Sequence, residues 1–323
     1  MLLKRAGLRL LDTFNFVAGA RQTLDLQVPQ RFIKRLYVWL RGTLTPGAGG
    51  NLVFHADGPV NLIQGLELLL NGKTHKFGSG ASFFRIAQIY DQTEGRNSGP
   101  ASTATVATTF EALIPLLFEG PSSVSPIDSL VDGRTIKNMI LNLRWGVLTD
   151  YLLSGGTAPA LSAVDAQVYI DDTDPFPVKA PFWSLRETEH QFLNVVTAGQ
   201  TRFAIPYTPG HILRSVQLRA IDGTNLSDAV INKISLRLNG EETPIQDVED
   251  DFFQALALHQ FGRVTPPDGY YHLELAENGR VMTTGLGAGG KPITDVEIVC
   301  DTTVGAGATS VIAHTVELVP PGA

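Results

Sequence analysis

The sequence predicts an all-β protein built from two tandem copies of one β-sandwich. Three observations lead there. Glycine (32) and proline (19) recur along almost the whole chain, leaving little room for long helical periodicity. Between them lie short alternating or solidly apolar runs that read as strands: RFIKRLYVWLRG, GLELLLNG, KNMILNLRWG, AVDAQVYID, HILRSVQLRA, KISLRLNG, ITDVEIVC and IAHTVELV. Finally, these runs occur twice in the same order, which is the mark of an internal repeat.

Phe14, Val17, Gln22 and Thr23 fall on Phe192, Val195, Gln200 and Thr201, an offset of 178. The next block, FIKRLYVWLRGT from Phe32, matches ILRSVQLRAIDGT from Ile212. NLIQGLELLLNGKTHKF from Asn61 matches AVINKISLRLNGEETPI from Ala229, pairing Leu70-Asn71-Gly72 with Leu238-Asn239-Gly240 at an offset of 168. SFFRIAQIY places Phe83 and Phe84 against Phe252 and Phe253 of DFFQALALH. FEALIPLLFEG at Phe110 matches YYHLELAENGR at Tyr270 (offset 160), and TIKNMILNL at Thr135 matches PITDVEIVC at Pro292 (offset 157). SAVDAQVYID at Ser162 matches SVIAHTVELV at Ser310, with the offset down to 148 as the second copy's loops shorten.

The organisation expected is an N-terminal arm (residues 1–13), a first sandwich (14–171), a proline-rich charged connector (172–191) and a second sandwich (192–323). Each copy is large enough for its own core. One short helix per copy is expected, with Phe84, Ala87 and Gln88, and again Phe253, Leu256 and Ala257, at i, i+3 and i+4. The acidic run Asp247–Asp251 precedes the second helix, where its charge suits the N-terminus.

Composition narrows the function. Apolar residues at 43% and charged residues at 18% describe a globular chain with a real core. With 25 Lys and Arg against 32 Asp and Glu the net charge is −7, which argues against a protein that coats nucleic acid. Cys300 is the sole cysteine, so an intrachain disulfide or thiolate metal cluster is excluded. No apolar run approaches the ~18 residues that span a bilayer. In the opening segment MLLKRAGLRLLDTF, Lys4, Arg5 and Arg9 interrupt the leucines, so no secretory h-region forms.

No chemistry-bearing constellation is found, and catalytic, cofactor and metal sites are all expected to be absent. GLGAGGKPIT (285–294) has the glycine and lysine spacing of a phosphate-cradling loop, but Pro292 takes the hydroxyl position and a strand pattern follows. The seven histidines, at 55, 75, 190, 211, 259, 272 and 314, show no metal or triad spacing. No G-x-S-x-G elbow appears. Asp171, Asp172 and Asp174 read as a solvated linker rather than a Ca²⁺ loop, and Glu249, Asp250 and Asp251 as a helix cap. Trp39 and Trp145 read as core, Trp183 as a wedge between the copies. Cys300, aligned with Leu143, reads as a buried structural thiol.

A duplicated all-β unit with a short helix partway along resembles the double-jelly-roll major capsid proteins of tailless, icosahedral, membrane-containing phages, the lineage that includes adenovirus hexon. The paired blocks carry the resemblance, above all GLELLLNG with SFFRIAQIY and KISLRLNG with DFFQALALH, and they cover residues 14–319. It implies two jelly rolls per chain, a homotrimeric capsomer with six similar units around a three-fold axis, and hexagonal tiling of an icosahedral shell. It also implies a virion location after assembly in the host cytoplasm, self-association, minor or vertex proteins as partners, no cofactor, and no direct contact with nucleic acid. The basic, leucine-rich start is then either a packed arm, which its length favours, or a segment lying on an inner membrane or a neighbouring subunit. The Ser-, Thr- and Gly-rich stretch 91–109 is expected to form an outer decoration, a lateral contact or a variable surface loop. The competing reading is a non-catalytic sandwich binding module such as a phage spike, adhesin or carbohydrate-binding protein. Against it, the stretches 43–59 and 91–109 hold one aromatic, Phe54. An enzyme on this scaffold would require a histidine–carboxylate set within one copy.

Overall fold

The computed structural model describes residues 6–47, 51–91, 93–99, 106–119, 129–176, 183–192, 198–206, 208–240, 246–252, 254–255, 267–277, 280–281 and 294–320. It divides into two compact units between Leu185 and Arg186. Eight longer strands build the two main sheets of the first unit: β1 (Ala6–Asn15), β2 (Arg21–Leu26), β3 (Phe32–Thr45), β4 (Ile63–Leu70), β5 (Lys73–Gly78), β6 (Thr108–Leu117), β7 (Met139–Trp145) and β8 (Ala160–Thr173). One helix, α1 (Gly80–Asp91), lies between β5 and β6. The second unit has β9 (Ser184–Phe192), β10 (Gly199–Ala204), β11 (Ile212–Asp222), β12 (Ile231–Leu238), β13 (Gln246–Glu249), β14 (Tyr270–Glu274), β15 (Val296–Thr302) and β16 (Thr309–Val319).

In the first unit one sheet runs β1-β8-β3-β6 and the other β2-β7-β4-β5. In the second unit the orders are β9-β16-β11-β14 and β10-β15-β12-β13. Adding eight to each strand number of the first unit reproduces the second. The arrangement is the eight-stranded, two-sheet jelly roll, present twice.

Alternation builds each core. In β3, Ile33, Leu36, Val38, Leu40 and Leu44 point inward, and in β4 Ile63, Leu66, Leu68 and Leu70 do so. The second unit repeats this with Leu213, Val216, Leu218 and Ala220 on β11 and Ile231, Ile234, Leu236 and Leu238 on β12. Helix α1 buries more than one face, since Phe83, Phe84, Ile86, Ala87, Gln88, Ile89 and Tyr90 are all buried. Residues 250–252 and 254–255 are helical in the second unit, while Phe253, Leu256 and Ala257 lie outside the described residues. The acidic run is shared between elements: Gln246–Glu249 forms β13, and only Asp250 and Asp251 open the helix.

The L-N-G repeat is a matched device. Asn71 and Asn239 both have φ 53°, and Gly72 and Gly240 follow at 77° and 66°, the all-positive conformation of a type I′ hairpin turn. The Asn71 side-chain oxygen accepts from the Lys137 N–H at 2.6 Å, and the Asn71 N–H donates to the Asn138 carbonyl. In the second unit the Asn239 oxygen accepts from the Thr294 N–H at 2.8 Å, and the Asn239 N–H donates to the Asp295 carbonyl. Each turn is thereby tied to the chain entering β7 or β15. A second matched tie holds the helix. Arg85 on α1 donates to Asp57 at 3.0 Å, and Gln254 donates to Asp228 at 2.8 Å.

Two segments differ from the sequence reading. Residues 6–13, expected as an arm, are part of β1, hydrogen-bonded along β8 from Ala6↔Thr173 to Asn15↔Asp165. A bulge between Leu10 and Asp12 breaks the period-two pattern and hid the strand. Residues 184–191, assigned to the connector, form β9 beside β16. Its buried positions are Leu185, Glu187 and Glu189, so its alternation is invisible to hydropathy.

The register of the repeat also shifts. Val38 lies between Val168 and Ile114, and Leu218 lies between Ala313 and Tyr271. With Val38 and Leu218 180 residues apart, β8 and β16 correspond at an offset of 145 (313 against 168) and β6 and β14 at 157 (271 against 114). The sequence matches at 148 and 160 are each three residues out. An odd slip places inward residues on the outward face.

Candidate assembly surface

The β1-β8-β3-β6 sheet of the first unit turns one side to its core, and its other side carries large amphipathic side chains. On β3 these are Arg35, Tyr37, Trp39 and Arg41, since their neighbours Leu36, Val38 and Leu40 face inward. Cross-strand partners on the same outward side are Tyr169 opposite Tyr37, Leu113 opposite Trp39, Pro115 opposite Tyr37, and Leu10 opposite Tyr169. Tyr37, Trp39, Tyr169, Leu113 and Pro115 are half-buried, while Leu8 and Leu10 are 67% and 49% exposed. Trp39, expected in the core, is therefore an outward residue, because it alternates with the inward Leu36, Val38 and Leu40. Trp145 is in the core, and Trp183 is half-buried in a bridge with Ser129.

Charges around this patch are matched. The Arg41 guanidinium bonds Asp165 through two nitrogens at 2.9 and 3.1 Å and stacks over the Trp39 ring at 5.1 Å. Its hydrogen bond to Asp165 raises the Arg41 pKa further. Arg96 donates to Glu111. That bond, with a smaller contribution from Trp39, holds the Glu111 carboxyl below the usual carboxylate range. Arg35 reaches both Asp91, the last residue of α1, and Glu119, each at 2.6 Å. Burial pushes the Tyr37 phenol up. At neutral pH the surface is aromatic with paired charges at its rim.

The same topological face in the second unit has another chemistry. The offsets place Gln217 where Tyr37 stands, Arg219 at Trp39 and His314 at Tyr169, and these three are 3%, 8% and 1% exposed. Carboxylates stand beside its histidines and arginines. His314 meets Glu187 at 3.1 Å, His272 meets Glu274 at 3.1 Å, and Arg219 lies 3.7 Å from Glu189. His211 meets Glu317 at 3.0 Å. Sequence spacing missed His314–Glu187 and His211–Glu317, whose members are 127 and 106 residues apart. Burial, with His314 nearby, pushes the His190 pKa down. Among the described residues, no group of three or more His, Cys, Asp or Glu is placed to hold a metal ion.

The remaining sequence candidates lie in separate parts of the chain. Asp171 and Asp172 belong to β8 rather than to a solvated linker. Asp172 is fully buried against Arg31 at 2.9 Å, with Arg9 at 3.5 Å, and Asp174 also binds Arg31, at 2.7 Å. Of the glycine loop 285–294 only Thr294 is described, and it belongs to the Asn239 tie. Residues 92 and 100–105 of the Ser- and Thr-rich stretch lie outside the described residues, whereas Asn97–Ser98 pairs with β6. Cys300 sits in the second core as Leu143 does in the first. Burial, with Asp301 adding to it, pushes its thiol up to about 12. A free thiol near 8.5 is roughly a quarter ionised at pH 8, so the folded chain is expected to react with Ellman's reagent at least about a thousandfold more slowly than the urea-unfolded chain. Equal rates in the two states would contradict this burial.

No protein-family model matches the chain, and no curated protein sequence matches it. Solved structures do. The major capsid protein of Sulfolobus turreted icosahedral virus superposes with a TM-score of 0.77 at 16% identity, over 98% of this chain and 97% of that one. The major capsid protein P2 from bacteriophage PM2 gives 0.63 at 12% identity, over 98% and 99%. The PBCV-1 virus capsid model gives 0.62 at 12%, over 99% and 96%. The likeness spans a Sulfolobus virus and a bacteriophage alike, and at these identities it is a likeness of fold. From β1 to β16, the chain has the double-jelly-roll fold of viral major capsid proteins.

Proposed function

We propose that this chain is a structural major capsid protein, three copies of which form a pseudo-hexagonal capsomer that tiles an icosahedral virion. The observation that carries the reading is the repeat itself: two jelly rolls of identical strand order fill the chain, and capsid proteins match it over 98% of its length. Three such chains present six similar units around a three-fold axis, an outline that tiles a plane by symmetric contacts. The work of the protein is then tessellation rather than chemistry. Its principal partner is itself, with minor or vertex proteins completing the shell after assembly in the host cytoplasm. Residues 6–13 lie in β1, and residues 1–5 of the basic, leucine-rich start fall outside the described residues.

Light scattering on the size-fractionated full chain tests this. The expected mass is three times the 34.8 kDa of one chain, with hexagonal outlines by negative stain. A stable monomer that binds glycans would overturn the capsid reading in favour of a binding module.

A further inference from the structure

We propose that the outward face of the β1-β8-β3-β6 sheet, centred on Trp39, Tyr37 and Tyr169, is an interface covered by a second copy of this chain. The inference rests on the capsomer reading above and adds which surface closes the ring.

Three observations point to it. The first is a contrast between equivalent faces. Within a single chain the second unit's Gln217, Arg219 and His314 are buried, while their first-unit counterparts Tyr37, Trp39 and Tyr169 remain partly open to solvent. One chain therefore carries one covered copy of this face and one uncovered copy. A ring of identical chains closes by head-to-tail contacts, so the open face of each chain meets its neighbour.

The second observation is composition. An antiparallel sheet that faces water normally carries polar residues on its outer side. Here Trp39, Tyr37, Tyr169, Leu113, Leu8 and Leu10 form a cross-strand patch, with Arg41 stacked on the indole. Trp, Tyr and Arg are the residues that dominate interface energetics when a partner excludes water from them.

The third is charge. Arg41 with Asp165, Arg96 with Glu111 and Lys34 with Asp171 are already paired. A face so neutralised offers nothing to a polyanion, and it suits a protein surface from a chain of modest net charge.

The test uses the full-length chain. In hydroxyl-radical footprinting of the wild type, oxidation of Trp39 and Tyr37 is expected to be several-fold slower in the oligomer than after dilution to monomer. Trp39→Glu is expected to raise the dissociation constant by on the order of thirtyfold or more, as loss of a central aromatic anchor does. Val53→Glu, at an exposed position of the short strand Val53–Phe54 and away from this sheet, is expected to leave that constant unchanged. If Trp39→Glu does not fold, the wild-type footprint alone decides. A wild-type chain that never oligomerises overturns the capsomer reading and this interface with it. A wild-type trimer with Trp39 oxidised equally in both states overturns the interface alone, and so does a folded Trp39→Glu variant that stays trimeric with an unchanged constant.

Discussion

Trp145→Ala is expected to destabilise the protein by about 3–5 kcal/mol, measured as a fall in the urea unfolding midpoint. Trp145 closes β7 at 1% exposure. Its ring meets Phe16 edge-on at 5.1 Å, and its indole N–H donates to the Gln22 side chain at 3.0 Å. Truncation removes the largest fully buried side chain among the described residues and leaves a cavity in a core packed between two sheets. Trp145→Phe keeps a ring against Phe16 and forfeits the N–H, so about 1–2 kcal/mol is expected for it. A cost below about 1 kcal/mol for Trp145→Ala would mean that the sheets collapse onto the space, contrary to the packing described.

Arg31→Ala is expected to cost a similar 3–5 kcal/mol, for an electrostatic reason. Asp172 is completely buried, and Arg31 approaches it to 2.9 Å. The two groups form an ion pair. Among the described residues, removing Arg31 leaves Arg9, 45% exposed and 3.5 Å away, to compensate a desolvated charge. Space here is tight: a Cβ on Gly7 would stand 2.8 Å from Asp172 Oδ1 and 3.0 Å from Arg31 Nη1, which is why glycine occupies that position of β1. The double replacement Arg31→Met with Asp172→Leu is expected to recover most of the loss, because two apolar groups replace the pair without stranding either charge. Urea titrations of the single and double variants check this. A double variant no more stable than Arg31→Ala would show that the pair's shape, rather than its charge, is what the site requires. The corresponding position in the second unit holds Glu317 with His211, the same solution with a different cation.

How far the sequence discloses the fold depends on where apolar residues mark the sheets. β3 and β11, β4 and β12, and β7 and β15 were legible because their inward positions are aliphatic, and the two L-N-G turns anchor the comparison through a backbone conformation that few residues tolerate. β9 was not, because Glu187 and Glu189 fill its buried positions and their partners come from strands more than a hundred residues away by way of His314, or about thirty away by way of Arg219. β1 was obscured by its bulge. The candidate surface was the least legible element. Trp39 in RFIKRLYVWLRG looks like core by type, and only the parity set by Val38 and Leu40 places it outside.

The divergence of the two outward faces has a genetic consequence. A ring of six identical single jelly rolls would print every substitution six times, so any residue suited to one junction would be imposed on all of them. Joining two copies in one reading frame halves that redundancy. Tyr37 and Gln217, or Trp39 and Arg219, are now separate loci open to independent selection, while Ile33 with Leu213 and Val38 with Leu218 stay under one shared constraint in their cores.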